Sequence, residues 1–144
     1  MGLRRTSREI ALQFLFNIDF SDRKITQQMI NEKLAIFWKN FNPDFKNSGK
    51  EFAEKLIKNT LENKSKIDLL LKKVSENWKL ERMPPVDRNI LRIGVSEFLY
   101  FDDIDYDVTI NEAIEIAKKY GTEKSSSFVN AVLDKVKQIL PKNS

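Results

Sequence analysis

Run after run, apolar residues in this chain return at three- and four-residue spacing, and each run is closed by a breaker or capping residue. That period admits amphipathic helices packed on one another and little else. The first stripe is Ile10, Ala11, Phe14, Leu15 and Ile18, with Thr6 and Glu9 spaced as a capping box and a break at Ser21-Asp22. A second runs from about Thr26 to Phe41 through Met29, Ile30, Leu34, Phe37 and Trp38. Asn42-Pro43-Asp44 and Asn47-Ser48-Gly49 read as loop, after which Phe52, Ala53, Leu56, Ile57 and Thr60 resume the period to about Asn63. The fourth stripe, Ile67, Leu70, Leu71, Val74 and Trp78, is closed by Met83-Pro84-Pro85, because paired prolines cannot continue a helix.

Beyond that break, Val86 and Leu91 have the spacing of a hydrophobic staple around an Asp87 N-cap. They lead a fifth stripe of Ile90, Val95, Phe98 and Leu99. Thr109 with Glu112 forms a second capping box for Ile110, Ala113, Ile114, Ala117 and Tyr120, and Gly121 is the expected stop. Ser125-Ser126-Ser127 supplies N-cap candidates for the last stripe, which runs to Leu140 before Pro141. The fold class is therefore all-α, with about seven helices. Residues 1–83 form an N-terminal helical subdomain that begins with the first helix, residues 84–144 a C-terminal one, and at 144 residues the two share one compact unit.

Absences narrow the chemistry. With no Cys and no His, thiol nucleophiles, imidazole bases, Cys/His zinc sites and disulfides are all excluded. The four glycines are scattered singly, so neither a P-loop nor a dinucleotide-binding turn is present. No apolar run reaches signal-peptide or membrane-span length, which points to the cytoplasm. Asp103, Asp105 and Asp107 have the alternation of a calcium loop. Val108 stands where its glycine is needed and Ile114 where its glutamate is needed, so no metal is assigned, and no cofactor is implied.

Two places carry possible binding chemistry. Arg4, Arg5 and Arg8 crowd the start of the first helix, where the macrodipole disfavours cations, yet cations there would make a site for phosphates. Against this stands a basic terminus that merely frays in solvent. Lys118, Lys119, Lys124 and the serine triplet lead into Phe128. These residue types suit phosphate contact and base stacking, but also plain caps before a core residue. Phe37, Trp38, Phe41 and Phe45 recur at helical spacing and are assigned to the core. The net charge of +4 is compatible with a nucleic-acid partner without requiring one.

Three segments together carry a resemblance: Arg4-Arg5-Thr6-Ser7-Arg8-Glu9 with Ala11-Leu12-Gln13; Val86-Asp87-Arg88-Asn89-Ile90-Leu91-Arg92-Ile93-Gly94; and Ile110-Asn111-Glu112-Ala113-Ile114-Glu115-Ile116-Ala117-Lys118-Lys119-Tyr120-Gly121 through Phe128-Val129-Asn130-Ala131-Val132-Leu133-Asp134-Lys135. In order and spacing they resemble the NusB family of bacterial antitermination factors, over nearly the whole chain. The resemblance implies two packed three-helix bundles with an additional helix, and no enzymatic activity. It implies binding of the boxA element of nascent ribosomal RNA together with the ribosomal protein NusE, in an antitermination complex with RNA polymerase and other Nus factors. On that resemblance, Arg4, Arg5, Arg8, Phe16, Ser127 and Phe128 are the RNA-contact candidates, and Glu81, Asp87 and Lys124 the partner-contact candidates. Thr6 departs from a position that can be arginine, and Lys124 from one that can be acidic. Alternatives are a detached NusB-like domain of a ribosomal RNA cytosine methyltransferase and a helical protein-interaction module.

Overall fold

The computed structural model describes residues 2–20, 24–75 and 78–141. Among them are seven α-helices: α1 (Leu3–Asp19), α2 (Gln27–Lys39), α3 (Asn47–Glu62), α4 (Lys64–Val74), α5 (Pro85–Tyr100), α6 (Tyr106–Tyr120) and α7 (Ser125–Ile139). A single 3-10 turn, Leu80–Arg82, precedes α5. The Ser21-Asp22 break falls outside the described residues.

Helix α5 is the axis. It packs against α1, α3, α4, α6 and α7, and it is buried on every side, with Ile90, Leu91, Ile93, Val95 and Phe98 in the core. A helix enclosed all round must be apolar or pair most of its polar groups: Asn89, Arg92 and Glu97 are paired, while Asp87 Oδ1 and Ser96 Oγ have no partner among the described residues. On one side α1 and α3 pack together. On the other, α6 and α7 close over the second face, and Gly94 of α5 is the point of nearest approach: a Cβ there would lie 2.9 Å from both Leu133 methyl carbons. One core cluster runs from Ala11 to Val136 across the Pro84-Pro85 step, including Leu56, Leu71, Leu91 and Leu133.

Local chemistry at the helix ends differs from the sequence expectations in a consistent way. Thr26 caps α2, its hydroxyl accepting from the Met29 N–H at 3.2 Å, and Gly121 ends α6. Thr6 is no cap, because α1 already begins at Leu3. Asp87 is no cap either: Pro85 opens α5, where its missing N–H costs nothing, and Asp87 sits in the first turn. Thr109 lies inside α6, which begins at Tyr106. Asn47-Ser48-Gly49 is the first turn of α3 and not a loop. Gly49 serves close packing there, since a Cβ would fall 2.6 Å from the Phe45 ring and 2.9 Å from a Leu3 methyl, while its carbonyl accepts from the Ser7 hydroxyl.

Phe37, Trp38, Phe41 and Phe45 stack on one another at the edge of the molecule, half-buried and outside the main core. They are joined to it through Phe37 against Phe14 and through Trp38, which packs against the core cluster while its indole N–H donates to Glu54. No helix of the described residues is long and apolar enough to cross a membrane.

Because Leu91 is fully buried at the centre of α5, Leu91→Ala is expected to lower the unfolding free energy by about 2–5 kcal/mol. Urea titration followed by circular dichroism and by tryptophan fluorescence checks this, and the two signals are expected to change together as one transition.

Candidate nucleic-acid interface

Three arginines in the first turns of α1 oppose the helix dipole, and no acid in that turn balances them. The balance comes from across the fold. Arg8 points inward and forms a two-point bond with Glu97 of α5, at 2.6 and 2.9 Å, where both side chains are almost wholly excluded from water. Thr109 of α6 donates to the same carboxylate at 2.8 Å. Arg5 makes a second two-point bond, to Glu112 of α6, at 2.8 Å for each contact, and remains one-third exposed. Arg4 reaches Asp103 in the α5–α6 connection at 3.3 Å, lies over the Phe52 ring, and is half exposed.

The hydrogen bond from Arg5, then the charges of Arg5 and Arg8, hold the Glu112 carboxyl below its ordinary value against the upward push of burial. The Arg5 guanidinium is raised in turn by the same bond. The three expected RNA-contacting arginines thus divide. Arg8 is an interior group: its side chain is only 4% exposed and its guanidinium is taken up by Glu97, which would be left uncompensated without it. Arg4 and part of Arg5 face outward.

Arg5 borders a groove between α1 and α6 whose other lining residues are Thr6, Glu9, Glu115, Lys118 and Lys119. Lys119 donates to Glu9 at 3.1 Å and Tyr120 to the same carboxylate, which aligns the end of α6 with α1. Lys118 is largely exposed. The acidic run after α5 is dispersed in the fold: Asp103 takes Arg4, Asp105 is the residue before α6, and Asp107 takes Lys137 at 2.9 Å. Among the described residues, no group of three or more carboxylates could hold a metal ion.

Phe16 is half-buried in a shallow apolar groove with Leu12, Gln13, Val86 and Tyr120, its ring edge-on to the exposed Phe20. Ser127 and Phe128 lie in the first turn of α7, Ser127 exposed and Phe128 half-buried. Ser125, not Ser127, orders that turn, accepting from the Thr122 N–H at 2.9 Å. Lys124 precedes α7 and is exposed, and Glu81 is exposed on the 3-10 turn. Asp87 is set back from solvent, and its Oδ1 has no hydrogen-bond partner among the described residues.

Two features escape a reading of the sequence. Trp78, expected in the fourth apolar stripe, lies past the end of α4, is 57% exposed, and meets Phe128 edge-on at 5.5 Å. Asp19, at the carboxyl end of α1 where an acid is disfavoured, is the hub of a polar cluster. Arg88 bonds it at 2.6 Å, Asn89 at 3.0 Å and Arg92 at 3.3 Å, and Arg92 continues to Asp68 of α4. Burial pushes the Asp19 carboxyl up, but Arg88, Arg92 and Asn89 together hold it below its ordinary value. The signals that could have found this cluster are an acid at the wrong helix end and arginines at i and i+4 on an otherwise apolar helix.

Residues 5–138 match the family model described as NusB family. The transcription antitermination protein NusB of Thermodesulfovibrio yellowstonii is 41% identical over 138 residues, covering 92% of this chain and 90% of that protein. Among solved structures, T. maritima NusB superposes with a TM-score of 0.82 at 37% identity, covering 96% of this chain and 93% of that one. A crystal structure of the antitermination factors NusB and NusE in complex with dsRNA matches with a TM-score of 0.79 at 25% identity, covering 97% of this chain and 99% of the matched one.

The arginines separate by experiment. Arg8→Ala strands a buried carboxylate and is expected to cost about 3–5 kcal/mol of stability, whereas Arg4→Ala removes an exposed pair worth about 0–1 kcal/mol. Thermal unfolding of the two variants checks the contrast. Since Glu112 and Asp19 have folded-state pKa values lowered from 4.5 and 3.8, their contribution is complete at neutral pH. It is expected to fade only as pH falls below about 4.5 and these groups take up protons. Glu112→Gln should make the unfolding midpoint less sensitive to pH across that acid range.

Proposed function

Because the chain belongs to the NusB family, we propose that it is a non-catalytic transcription antitermination factor that binds a boxA-type single-stranded RNA together with the ribosomal protein NusE. The observation that carries this reading is the agreement over nearly the full length of both chains with the NusB of a NusB–NusE–dsRNA complex. The work is done in the cytoplasm, where nascent transcripts and ribosomal proteins meet.

In this reading the outward cations, Arg4, the exposed part of Arg5 and Lys118, neutralise phosphates and set the register of the strand without reading its sequence. Arg8 holds the first helix in place and so aims the other two. Phe16 and Phe128 offer half-exposed rings to unstacked bases, and Ser127 a hydroxyl beside Phe128. Glu81 and Lys124 are the exposed side chains of the partner-facing set, and Asp87 supports it from the first turn of α5. A few phosphate contacts give weak, salt-sensitive binding alone, so tight and selective binding depends on the composite surface with NusE.

Fluorescence anisotropy with a labelled boxA-type RNA and a scrambled control, with and without NusE, tests the proposal. Selective binding is expected only with NusE present. Arg4→Ala combined with Lys118→Ala should weaken it and make its salt dependence shallower by about 0.7 for each phosphate no longer neutralised. Equal affinity for the scrambled RNA in the complex would overturn the selective reading.

A further inference from the structure

Trp78 is the large side chain whose position the fold explains least. The fourth apolar stripe would bury it, but α4 stops at Val74 and the chain turns away. The indole is left 57% exposed beside a core that already closes with Leu80 and Met83. Leaving that much indole in water forgoes its burial energy. Three features indicate what would cover it. Its ring meets Phe128 edge-on, with centroids 5.5 Å apart and planes at 67°, so the two aromatics form one platform held from two separate elements. Exposed residues close to the two rings in sequence include Lys79, Glu81 and Arg82 on one segment and Glu123, Lys124 and Ser127 on the other. Cations outnumber acids three to two, Lys79 directly follows Trp78, and Ser127 adds a hydroxyl beside Phe128, groups that suit phosphate and sugar. And Phe128, which packs against the main core, is fixed before any ligand arrives and gives Trp78 a ring to lie against.

We propose that Trp78 and Phe128 together form a stacking site for one unstacked base of a single-stranded RNA, with Lys79 and Arg82 placed to neutralise its flanking phosphates. The inference rests on the RNA-binding reading above and adds to it Trp78, which neither the sequence motifs nor the family resemblance assigned. Stacking on an indole is tolerant of base identity, so this site anchors the strand and the specificity comes from elsewhere on the composite surface.

The chain has two tryptophans, and Trp38→Phe leaves Trp78 as the sole indole reporter, with the Trp38→Phe/Trp78→Phe chain as the blank. In the complex with NusE, boxA-type RNA is expected to quench Trp78 emission with the same midpoint as anisotropy reports. In a set of RNAs each carrying one abasic nucleotide, a single position should abolish the quenching. Trp78→Ala should weaken RNA binding about 5- to 100-fold, the range of one base–aromatic stack, while Trp78→Phe retains most of the affinity. If RNA binds by anisotropy while Trp78 emission and the Trp78→Ala affinity are unchanged, the stacking site is refuted and the RNA-binding reading survives. If NusE alone quenches Trp78 and RNA adds nothing, the platform is a protein contact and the inference is overturned. If no RNA binds the complex at all, both readings fail together.

Discussion

Arg8 and Glu97 meet in the interior at 2.6 and 2.9 Å, and the placement of every outward group on α1 follows from that meeting. The pair joins α1 to α5, and Thr109 brings α6 to the same carboxylate. With the rotation of α1 set in this way, Arg5 falls opposite Glu112 and Arg4 beside Asp103, progressively nearer water. The net stabilisation from a buried ion pair is small, since desolvation cancels much of the attraction. Its value lies in specificity: an apolar substitute could pack at several rotations of α1, whereas a two-point guanidinium–carboxylate bond accepts one.

The Asp19 cluster does the same at the other end of α1. Arg88, Asn89 and Arg92 grip one carboxylate from three positions on α5, and Arg92 extends to Asp68 on α4. The first helix is therefore pinned to the central helix by polar bonds at both ends and by apolar packing between. A surface built on such a helix is preorganised, so a ligand that binds there does not have to order it.

How much of this was legible in the sequence depended on whether the signal was local. The apolar period locates the seven helices of the described residues, and the Thr26 start and the Gly121 stop are legible because each is satisfied by its own neighbours. Thr6, Thr109 and Asp87 looked like caps and were not. A hydroxyl or carboxylate near a helix start has the same signature whether it meets the backbone or a distant side chain, and Thr109 meets Glu97. Gly49 resembled a turn residue but makes room for Phe45 and Leu3. Trp78 fitted a stripe whose helix had already ended at Val74. The sequence places three arginines at the start of α1, but only their three-dimensional partners separate the buried Arg8 from the more exposed Arg5 and Arg4.

The central place of α5 bears on how the protein is made. Helices α1 to α4 leave the ribosome before the helix against which α1, α3 and α4 all pack has been translated. Until α5 emerges as far as Tyr100, Leu56, Leu71 and the inner face of α1 lack their central packing surface, and Arg8 and Asp19 lack their partners. Vectorial synthesis thus produces a half-chain that is helical in tendency and open on its apolar side, the kind of species that chaperones shelter. The core can condense on its first side once α5 is available, and α6 and α7, translated last, then close over the second face of that helix.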